Sequence, residues 1–247
     1  MKIGASTLSI YGEDIEQNLK YFESLNIEYL EILHQYPCEE INTEVLNSYN
    51  LNYTVHSPII DLNIASLNTY IYKSSIEAIK SSADFANKID SEILVVHPGI
   101  IPYLARDYEK EVYEKSHPAI KEISKYCDDL GITAAIENMP NIEGFMYQDI
   151  EKLDEFLKSY NLAMTLDIGH AYTAGYSENQ MYFDSIKHIH MSDNYGDNDS
   201  HLALGDGEID FNNIINVFKK KNYNGIYMIE VNNTDYLEKS LEYIKKL

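Results

Sequence analysis

The amino-acid sequence predicts an α/β protein built as a single (β/α)8 barrel. Short segments rich in apolar and β-branched residues recur along the chain, and a longer segment with helical spacing follows each of them. Eight such pairs within 247 residues match the size and order of a barrel of eight parallel strands. Imidazoles and carboxylates stand at the C-terminal ends of the third through eighth predicted strands, which is where such barrels build active sites.

The elements follow from this alternation in chain order. Each predicted strand is a run of four to six residues with an apolar centre, and each predicted helix is a longer run with apolar residues three or four positions apart. The predicted strands are Lys2–Ser6, Tyr29–Leu33, Tyr53–His56, Ile93–His97, Thr133–Asn138, Ala163–Ile168, Lys187–Ser192 and Ile226–Val231. The predicted helices are Glu13–Leu25, Glu39–Asn50, Ser66–Lys88, Tyr108–Leu130, Asp149–Ser159, Glu178–Ser185, Asp210–Lys221 and Thr234–Lys246.

An open, doubly wound sheet would show the same local alternation. Such sheets often carry a glycine-rich phosphate loop after the first strand, but here that position reads ASTLSIYG and matches no GxGxxG or GxxxxGK[ST] pattern. The placement of the polar residues therefore favours the closed barrel. Because the chain has no linker, no low-complexity tract and no repeat beyond the βα unit, we expect residues 1–247 to form one domain.

The charge balance is strongly acidic. Nineteen Lys+Arg residues stand against 40 Asp+Glu, which gives a formal net charge of -21, and Arg106 is the only arginine. This composition disfavours nucleic acid and anionic membranes as partners. Cys38 and Cys127 lie far apart and form no CxxC pair, so the sequence indicates neither a disulfide framework nor a thiolate zinc site.

Nothing in the sequence indicates targeting to a membrane or export. The N-terminus has no continuous apolar core, and no run reaches the roughly 18 apolar residues of a membrane span. We therefore expect a cytoplasmic protein without a membrane partner. The oligomeric state stays open, and a homo-oligomer is compatible with the sequence.

Nine residues able to bind metal or transfer protons are brought to one rim by the predicted fold. They close predicted strands or follow them directly, except for two that lie on the connection between the seventh and eighth strands. Five of the eight histidines of the chain belong to this set. Its members are His56, His97, Glu137, Asp167, His170, His190, Asp199, His201 and Glu230.

The chemistry of this set points to a divalent cation. Carboxylates that converge in an apolar barrel repel one another and are costly to bury, and a divalent ion removes that repulsion. Histidine nitrogen and carboxylate oxygen without cysteine suit Zn, Mn, Fe or Co. Three further residues, Glu31, His34 and His188, also lie on or beside predicted strands, but the sequence does not assign them a role.

The order of the rim motifs resembles the xylose isomerase-like TIM-barrel superfamily, which includes sugar isomerases and epimerases, inosose-processing enzymes and endonuclease IV. The resemblance covers essentially the whole chain and runs through HSPIIDLNIAS, VVHPG, IENMP, LDIGHA, HIHMSDN, DSHLALGDGEID and IEV. It implies one to three divalent ions, Zn, Mn or Co. A core ion would be held by Glu137, Asp167, His190 and Glu230.

The same resemblance implies two further ion sites, in an arrangement similar to the three-zinc site of endonuclease IV. His56 and His97, with Glu137 bridging, would hold a second ion. His170, Asp199 and His201 would hold a third.

The function that we expect is a metal-dependent sugar or sugar phosphate isomerase or epimerase that acts on a small carbohydrate through a metal-stabilised enediolate. Glu137 and Glu230 are the candidate acid/base pair, and His170 is expected to orient the substrate. In ketose epimerases an arginine shortly after the metal-binding histidine contacts the substrate. Here the segment SDNYGDND follows the core histidine and contains no arginine. The identity of the sugar therefore stays open.

The alternative is a multi-zinc phosphodiesterase of the endonuclease IV type, in which all nine residues would matter. Removing the four carboxylates predicted to bind metal, Glu137, Asp167, Asp199 and Glu230, still leaves a net charge of -17, so the excess of acid belongs to the surface. A long DNA substrate needs contacts from several cationic side chains, and this chain has only one arginine. A metal-binding barrel without catalysis is a third, less favoured alternative.

Overall fold

A computed structural model describes residues 1–247 and confirms the predicted fold class, a (β/α)8 barrel. Eight parallel strands pair in chain order, and β8 closes the barrel against β1 through the pairs Lys2–Ile226 and Ala5–Ile229. The strands are β1 (Lys2–Ser6), β2 (Tyr29–Leu33), β3 (Asn52–His56), β4 (Ile93–Val96), β5 (Thr133–Glu137), β6 (Ala163–Asp167), β7 (Ile186–Met191) and β8 (Ile226–Ile229).

Helices follow the strands and surround the barrel. The α-helices are α1 (Ile15–Ser24), α2 (Thr43–Leu46), α3 (Thr69–Lys88), α4 (Glu109–Asp129), α5 (Ile150–Tyr160), α6 (Ile168–Thr173), α7 (Phe211–Lys220) and α8 (Thr234–Ile244). Short 3₁₀ helices cover Thr7–Ile10, Tyr103–Tyr108 and Glu178–Gln180.

Asparagine and aspartate side chains set where most of the long helices begin. Asp14, Asn68, Asp149 and Asp210 each accept a hydrogen bond from a backbone N–H in the first turn of the helix that follows. Such a cap satisfies donors that the helix itself cannot pair. For this reason several helices begin one to three residues later than the apolar spacing alone predicts.

The main hydrophobic core lies between the strands and the helices. Leu30 and Ile32 of β2 belong to this core, and Glu31 between them is fully buried on the opposite face of the strand. Glu31 contacts His188 and His190 of β7, which is not a neighbour of β2 in the barrel. These side chains therefore meet across the barrel interior, and part of that interior is polar.

The prediction of a helix over Glu178–Ser185 is wrong. Only Glu178–Gln180 form a 3₁₀ turn, and the α-helix of this unit is α6, which begins directly after β6. The carboxylate of Asp167 accepts the backbone N–H of His170 at 2.6 Å and so starts the helix at the strand end. Farther along, Tyr182 packs edge-on against Phe218 of α7, and this tertiary contact takes the place of a local helix.

The predicted helix over Glu39–Asn50 is also much shorter in the structure. Asn42 caps α2 at its start, and after Leu46 the chain continues in single turns, with Ser48 N–H donating to Val45 and Tyr49 N–H donating to Leu46. Asparagine and serine in this stretch compete with helix hydrogen bonds, which limits the helix to one turn. None of the helices combines the length and the apolar composition that crossing a membrane would require.

Candidate metal centre

The structure brings all nine rim residues together at the C-terminal end of the barrel. His56, Glu137 and Asp167 are the last residues of β3, β5 and β6, and His190 is the last but one of β7. Two others follow a strand directly, His97 after β4 and Glu230 after β8. The remaining three lie on α6 or on the β7–α7 connection; they are His170, Asp199 and His201.

Four buried residues form the centre of the site. One ligand atom from each of Glu137, Asp167, His190 and Glu230 lies within 4.8 Å of the others. The Nδ1 atom of His190 lies 2.9 Å from Glu137 Oε1 and 3.1 Å from Glu230 Oε2. We call this set the central cluster. Its geometry allows four side chains, three on strands and one directly after β8, to face one small ion.

Two flanking clusters extend the centre on either side. On one side, His97 Nε2 lies 2.9 Å and His56 Nε2 lies 3.4 Å from Oε2 of Glu137. The Nδ1 atom of His56 is held by the carbonyl of Ser57 at 2.7 Å, which turns its Nε2 towards the carboxylate. Glu137 is thus shared between this pair and the central cluster.

On the other side, His170 and His201 converge on one carboxylate oxygen. Oδ2 of Asp199 lies 3.1 Å from His170 Nε2 and 3.2 Å from His201 Nε2. The backbone carbonyls of Asn138 and Glu230 hold the two Nδ1 atoms at 2.8 and 2.9 Å. His201 adopts a φ of 43°, a conformation that non-glycine residues rarely take and that costs energy to maintain.

Burial and mutual repulsion shape the protonation of the carboxylates. Burial raises the pKa of Asp167 to about 6, and the charges of Glu137 and Asp199 add to this effect against the attraction of His170. Burial would also raise the pKa of Glu137, but His190 and the other imidazoles around it hold that pKa well below its usual range.

Nearby carboxylates raise the pKa of three imidazoles of the site against the effect of burial. Burial opposes the charged form of His170, yet Asp167 and Asp199 prevail and raise its pKa to about 10. The pKa of His201 also rises to about 10, because Asp199 and Glu230 outweigh burial. Burial likewise disfavours charge on His190, but three surrounding carboxylates raise its pKa well above the ordinary value. The site therefore attracts positive charge strongly, as protons or as a metal cation.

The structure assigns a position to Glu31 and His188, which the sequence left open. Oε1 of Glu31 lies 3.0 Å from His190 Nε2, and its Oε2 lies 2.9 Å from His188 Nε2 and accepts the hydroxyl of Thr54 at 3.0 Å. Glu31 and His188 are fully buried beneath the central cluster. In the sequence, the two-residue spacing of His188 and His190 indicated that both lie on the same face of their strand. No sequence pattern indicated that Glu31 points into the barrel.

His34 lies outside the site. Its Nδ1 is 2.8 Å from the hydroxyl of Ser82, and its ring stacks on Phe85 at a centroid distance of 4.3 Å. Both partners belong to α3, so this buried histidine joins β2 to an outer helix. Its role is in packing.

Two polar side chains that the sequence analysis did not single out hold the rim in place. The carboxamide of Asn138 accepts the backbone N–H of Asp167 at 2.8 Å and donates to its carbonyl at 3.0 Å. The carboxylate of Asp193 accepts backbone N–H groups from Asn194, Gly205 and Ile209 at 2.8 to 3.2 Å. Asn138 thereby joins β5 to β6, and Asp193 shapes the connection that carries Asp199 and His201.

A cavity of about 560 Å³ opens above the clusters. Its floor and one side are polar and include His56, Glu137, His170, Asp199 and His201. Most of the other residues that line the cavity are apolar, and no lysine or arginine is among them. The volume falls within the range of pockets for small molecules.

The residues present fit a divalent cation. Oδ2 of Asp167 is buried without a hydrogen-bond partner, although its other oxygen is capped by the His170 N–H. An orphaned carboxylate oxygen is costly inside a protein and is rare unless something else satisfies it. Three carboxylates and one imidazole without sulfur form a donor set that suits Zn, Mn or Co.

Comparisons with known proteins point to one family. The family described as the xylose isomerase-like TIM barrel matches residues 19–247. An uncharacterized protein of Methanocaldococcus jannaschii is 35% identical over 260 residues, an alignment that covers 100% of this chain and 89% of the relative. Among solved structures, a D-tagatose 3-epimerase-like protein is 34% identical with a TM-score of 0.91, covering 100% of this chain and 96% of the other.

A more distant similarity is to proteins described as probable endonuclease 4. A probable endonuclease 4 of Mycoplasma mycoides subsp. mycoides is 25% identical over 227 residues, covering 81% of this chain and 74% of the relative. Both branches of the resemblance seen in the sequence thus have counterparts among known proteins.

We expect the change Asn138→Ala to lower the free energy of unfolding by about 3 kcal/mol, because it leaves the buried backbone N–H and carbonyl of Asp167 without partners. Urea denaturation of both proteins measures the difference. The matched control is Asn141→Ala, whose side chain is exposed and which we expect to change stability by less than about 0.5 kcal/mol. Equal stability of the two variants would contradict the role given to Asn138.

Proposed function

The chain belongs to the xylose isomerase-like TIM barrel family, and from this premise we propose that it is a divalent-metal-dependent isomerase or epimerase of a small carbohydrate. One observation carries the proposal: the buried central cluster of Glu137, Asp167, His190 and Glu230 adjoins a cavity of small-molecule size, which Glu137 and Glu230 line. The similarity to the D-tagatose 3-epimerase-like protein supports it, at 34% identity over the whole chain.

The four residues of the central cluster would hold the ion, Zn, Mn or Co. When bound there, it would supply a Lewis acid for two adjacent oxygens of the sugar and for the negative charge that develops as a proton leaves carbon. His190 would bind through Nδ1, since its Nε2 faces Glu31. The flanking clusters offer donors for a second and a third ion.

Glu137 and Glu230 are the proposed proton-transfer pair. They lie at the ends of β5 and β8, three strands apart in the barrel order, and both lie within 3.1 Å of His190 Nδ1. One carboxylate takes the proton from the carbon beside the carbonyl, and the electron pair moves to the carbonyl oxygen to give an enediolate. The other carboxyl group returns a proton to carbon from the opposite face.

His170 is the third catalytic candidate and would orient the substrate. The carbonyl of Asn138 holds its Nδ1, so its Nε2 points to Asp199 beside the cavity. A hydroxyl of the substrate would contact this nitrogen by displacing or bridging to Asp199. The residues of both flanking clusters would in this way frame the sugar.

An endonuclease IV-like phosphodiesterase is the second candidate, because the flanking clusters match the ligand set that a three-ion site requires. The residues that line the cavity disfavour this candidate. Apart from bound metal ions, lysine, arginine and backbone amides bind phosphate groups in proteins, and neither lysine nor arginine lines this cavity. The net charge of -21 adds a repulsion that a polyanionic substrate would have to overcome.

The proposed reaction is tested by exchange of carbon-bound hydrogen in ketoses incubated in deuterated water with the metal-loaded protein. We expect the Glu230→Gln variant to exchange about a thousandfold more slowly, because the amide cannot accept the proton. The control is Glu208→Gln, an exposed residue on the β7–α7 connection, which should keep full activity. If Glu230→Gln retains both its metal and its activity, the acid/base assignment is wrong.

Metal content and DNA cleavage separate the two candidates. One manganese or cobalt ion per chain in the active protein, together with no cleavage of a duplex that contains an abasic site, would support the preferred function. Three zinc ions per chain, together with cleavage that the change His201→Ala abolishes, would establish the phosphodiesterase instead. Elemental analysis of the purified protein and a gel-based cleavage assay provide these two measurements.

We expect Glu31→Gln to weaken zinc binding about 10- to 100-fold, because Glu31 orients His190 and makes its Nδ1 a better donor. Competition with a chromophoric chelator measures the affinity directly. Glu28→Gln, an exposed change one residue before the same strand, is the matched control and should bind zinc like the unaltered protein. A Glu31→Gln variant that folds with unchanged zinc affinity would refute this role.

A further inference from the structure

We propose that the natural substrate is an uncharged molecule with two unlike ends, a hydroxylated end that is bound at the central cluster and an apolar substituent that packs on the opposite side of the cavity. This inference rests on the proposed function and narrows its substrate class. The relevant surface, which we call the apolar wall, consists of Ile59, Ile60, Ile100, Met139, Ile142 and Phe145.

The apolar wall exposes hydrophobic side chains next to the polar clusters of the same cavity. Ile59, Ile60, Ile100 and Ile142 are each between 41% and 50% exposed. They come from three loops, after β3, β4 and β5, which converge on one side. A grouped exposed apolar surface at a cavity indicates that something apolar covers it when the site is occupied.

Two carboxamide side chains next to the apolar wall, Asn63 and Gln35, are already hydrogen-bonded within the protein. The carboxamide oxygen of Asn63 accepts the backbone N–H groups of Ala65 and Ile100 at 3.0 and 3.1 Å, and its nitrogen donates to the Ile100 carbonyl at 2.9 Å. The side-chain oxygen of Gln35 accepts the backbone N–H groups of Ile59 and Ile60 at 3.0 and 3.3 Å. Sugar hydroxyls placed here would lose water without gaining equivalent partners.

The apolar wall is also held in shape before any ligand arrives. Asn63 ties the loop after β3 to the loop after β4, and Ile101 N–H donates to the Gly144 carbonyl at 2.7 Å, which ties in the loop after β5. Gly99, with φ of +108°, permits this close approach, because a Cβ there would lie 2.7 Å from that of Ala65. A preformed apolar surface binds its ligand without a cost for ordering loops.

The charge of the ligand follows from the lining. A phosphate or carboxylate at the far end of the substrate would meet isoleucine side chains and no lysine or arginine. Burial of an anion without a partner is strongly unfavourable. The apolar end is therefore an alkyl or aryl group joined to the carbohydrate.

The experiment compares three ligands with the metal-loaded protein by calorimetry. They are D-fructose, its phosphate ester at the C6 hydroxyl, which is the end far from the carbonyl, and its benzyl ether at the same hydroxyl. We expect the benzyl ether to bind at least tenfold more tightly than free fructose and the phosphate ester to bind more weakly. The changes Ile60→Asn and Ile142→Asn should remove the advantage of the benzyl ether and leave the binding of free fructose unchanged. Ile71→Asn, at an isoleucine on α3 of similar exposure outside the cavity, is the control.

The outcomes distinguish this inference from the proposed function. If hydrogen exchange occurs on fructose while the benzyl group gives no gain, or if the phosphate ester binds best, the proposed function stands and the apolar substrate is excluded. If the benzyl ether binds tightly and no ketose exchanges hydrogen, the wall assignment stands and the proposed reaction fails. A dimer in sedimentation that Ile60→Asn dissociates would show that a second copy covers the wall, which would overturn the inference.

Discussion

Four buried carboxylates in the C-terminal part of the barrel interior are the constraint on which this molecule depends. Glu31, Glu137, Asp167 and Glu230 are all buried, and their mutual repulsion would destabilise the folded barrel if nothing balanced it. Imidazoles are interleaved with them, and Glu137 alone lies within 3.4 Å of nitrogen atoms from three histidines. The buried carboxylates are stable together only when positive charge lies among them. In the reaction that we propose, a bound divalent cation would supply that charge.

Local signals in the sequence were sufficient for the strands and for the residues at their ends. All eight observed strands agree with the predicted ones to within two residues at each end, because short apolar runs followed by turns leave little freedom in placement. In a closed parallel barrel the C-terminal ends of all strands meet at one rim. The meeting of His56 with Glu137 therefore followed from topology alone.

Features that depend on tertiary contacts were beyond local signals. Helix α6 begins directly after Asp167 because the carboxylate of this site residue caps it, and apolar spacing does not reveal such a cap. Since both faces of a barrel strand are buried, the pattern of β2 does not show which face Glu31 occupies. The surface around Ile100 depends on hydrogen bonds to Asn63, a residue 37 positions away along the chain.

The ties among the three loops have a consequence for how this kind of protein diversifies. The ion-binding side chains are anchored to strands and to the network beneath them, whereas Ile60 and Ile142 project from loops whose shape is set by Gln35, Asn63 and backbone atoms. Replacement of these isoleucine side chains changes neither the anchoring of the ion-binding side chains nor the hydrogen bonds that shape the loops. Evolution can therefore alter the molecules that such a barrel accepts while the inherited reaction stays the same. Paralogues with identical metal-binding residues need not share a substrate.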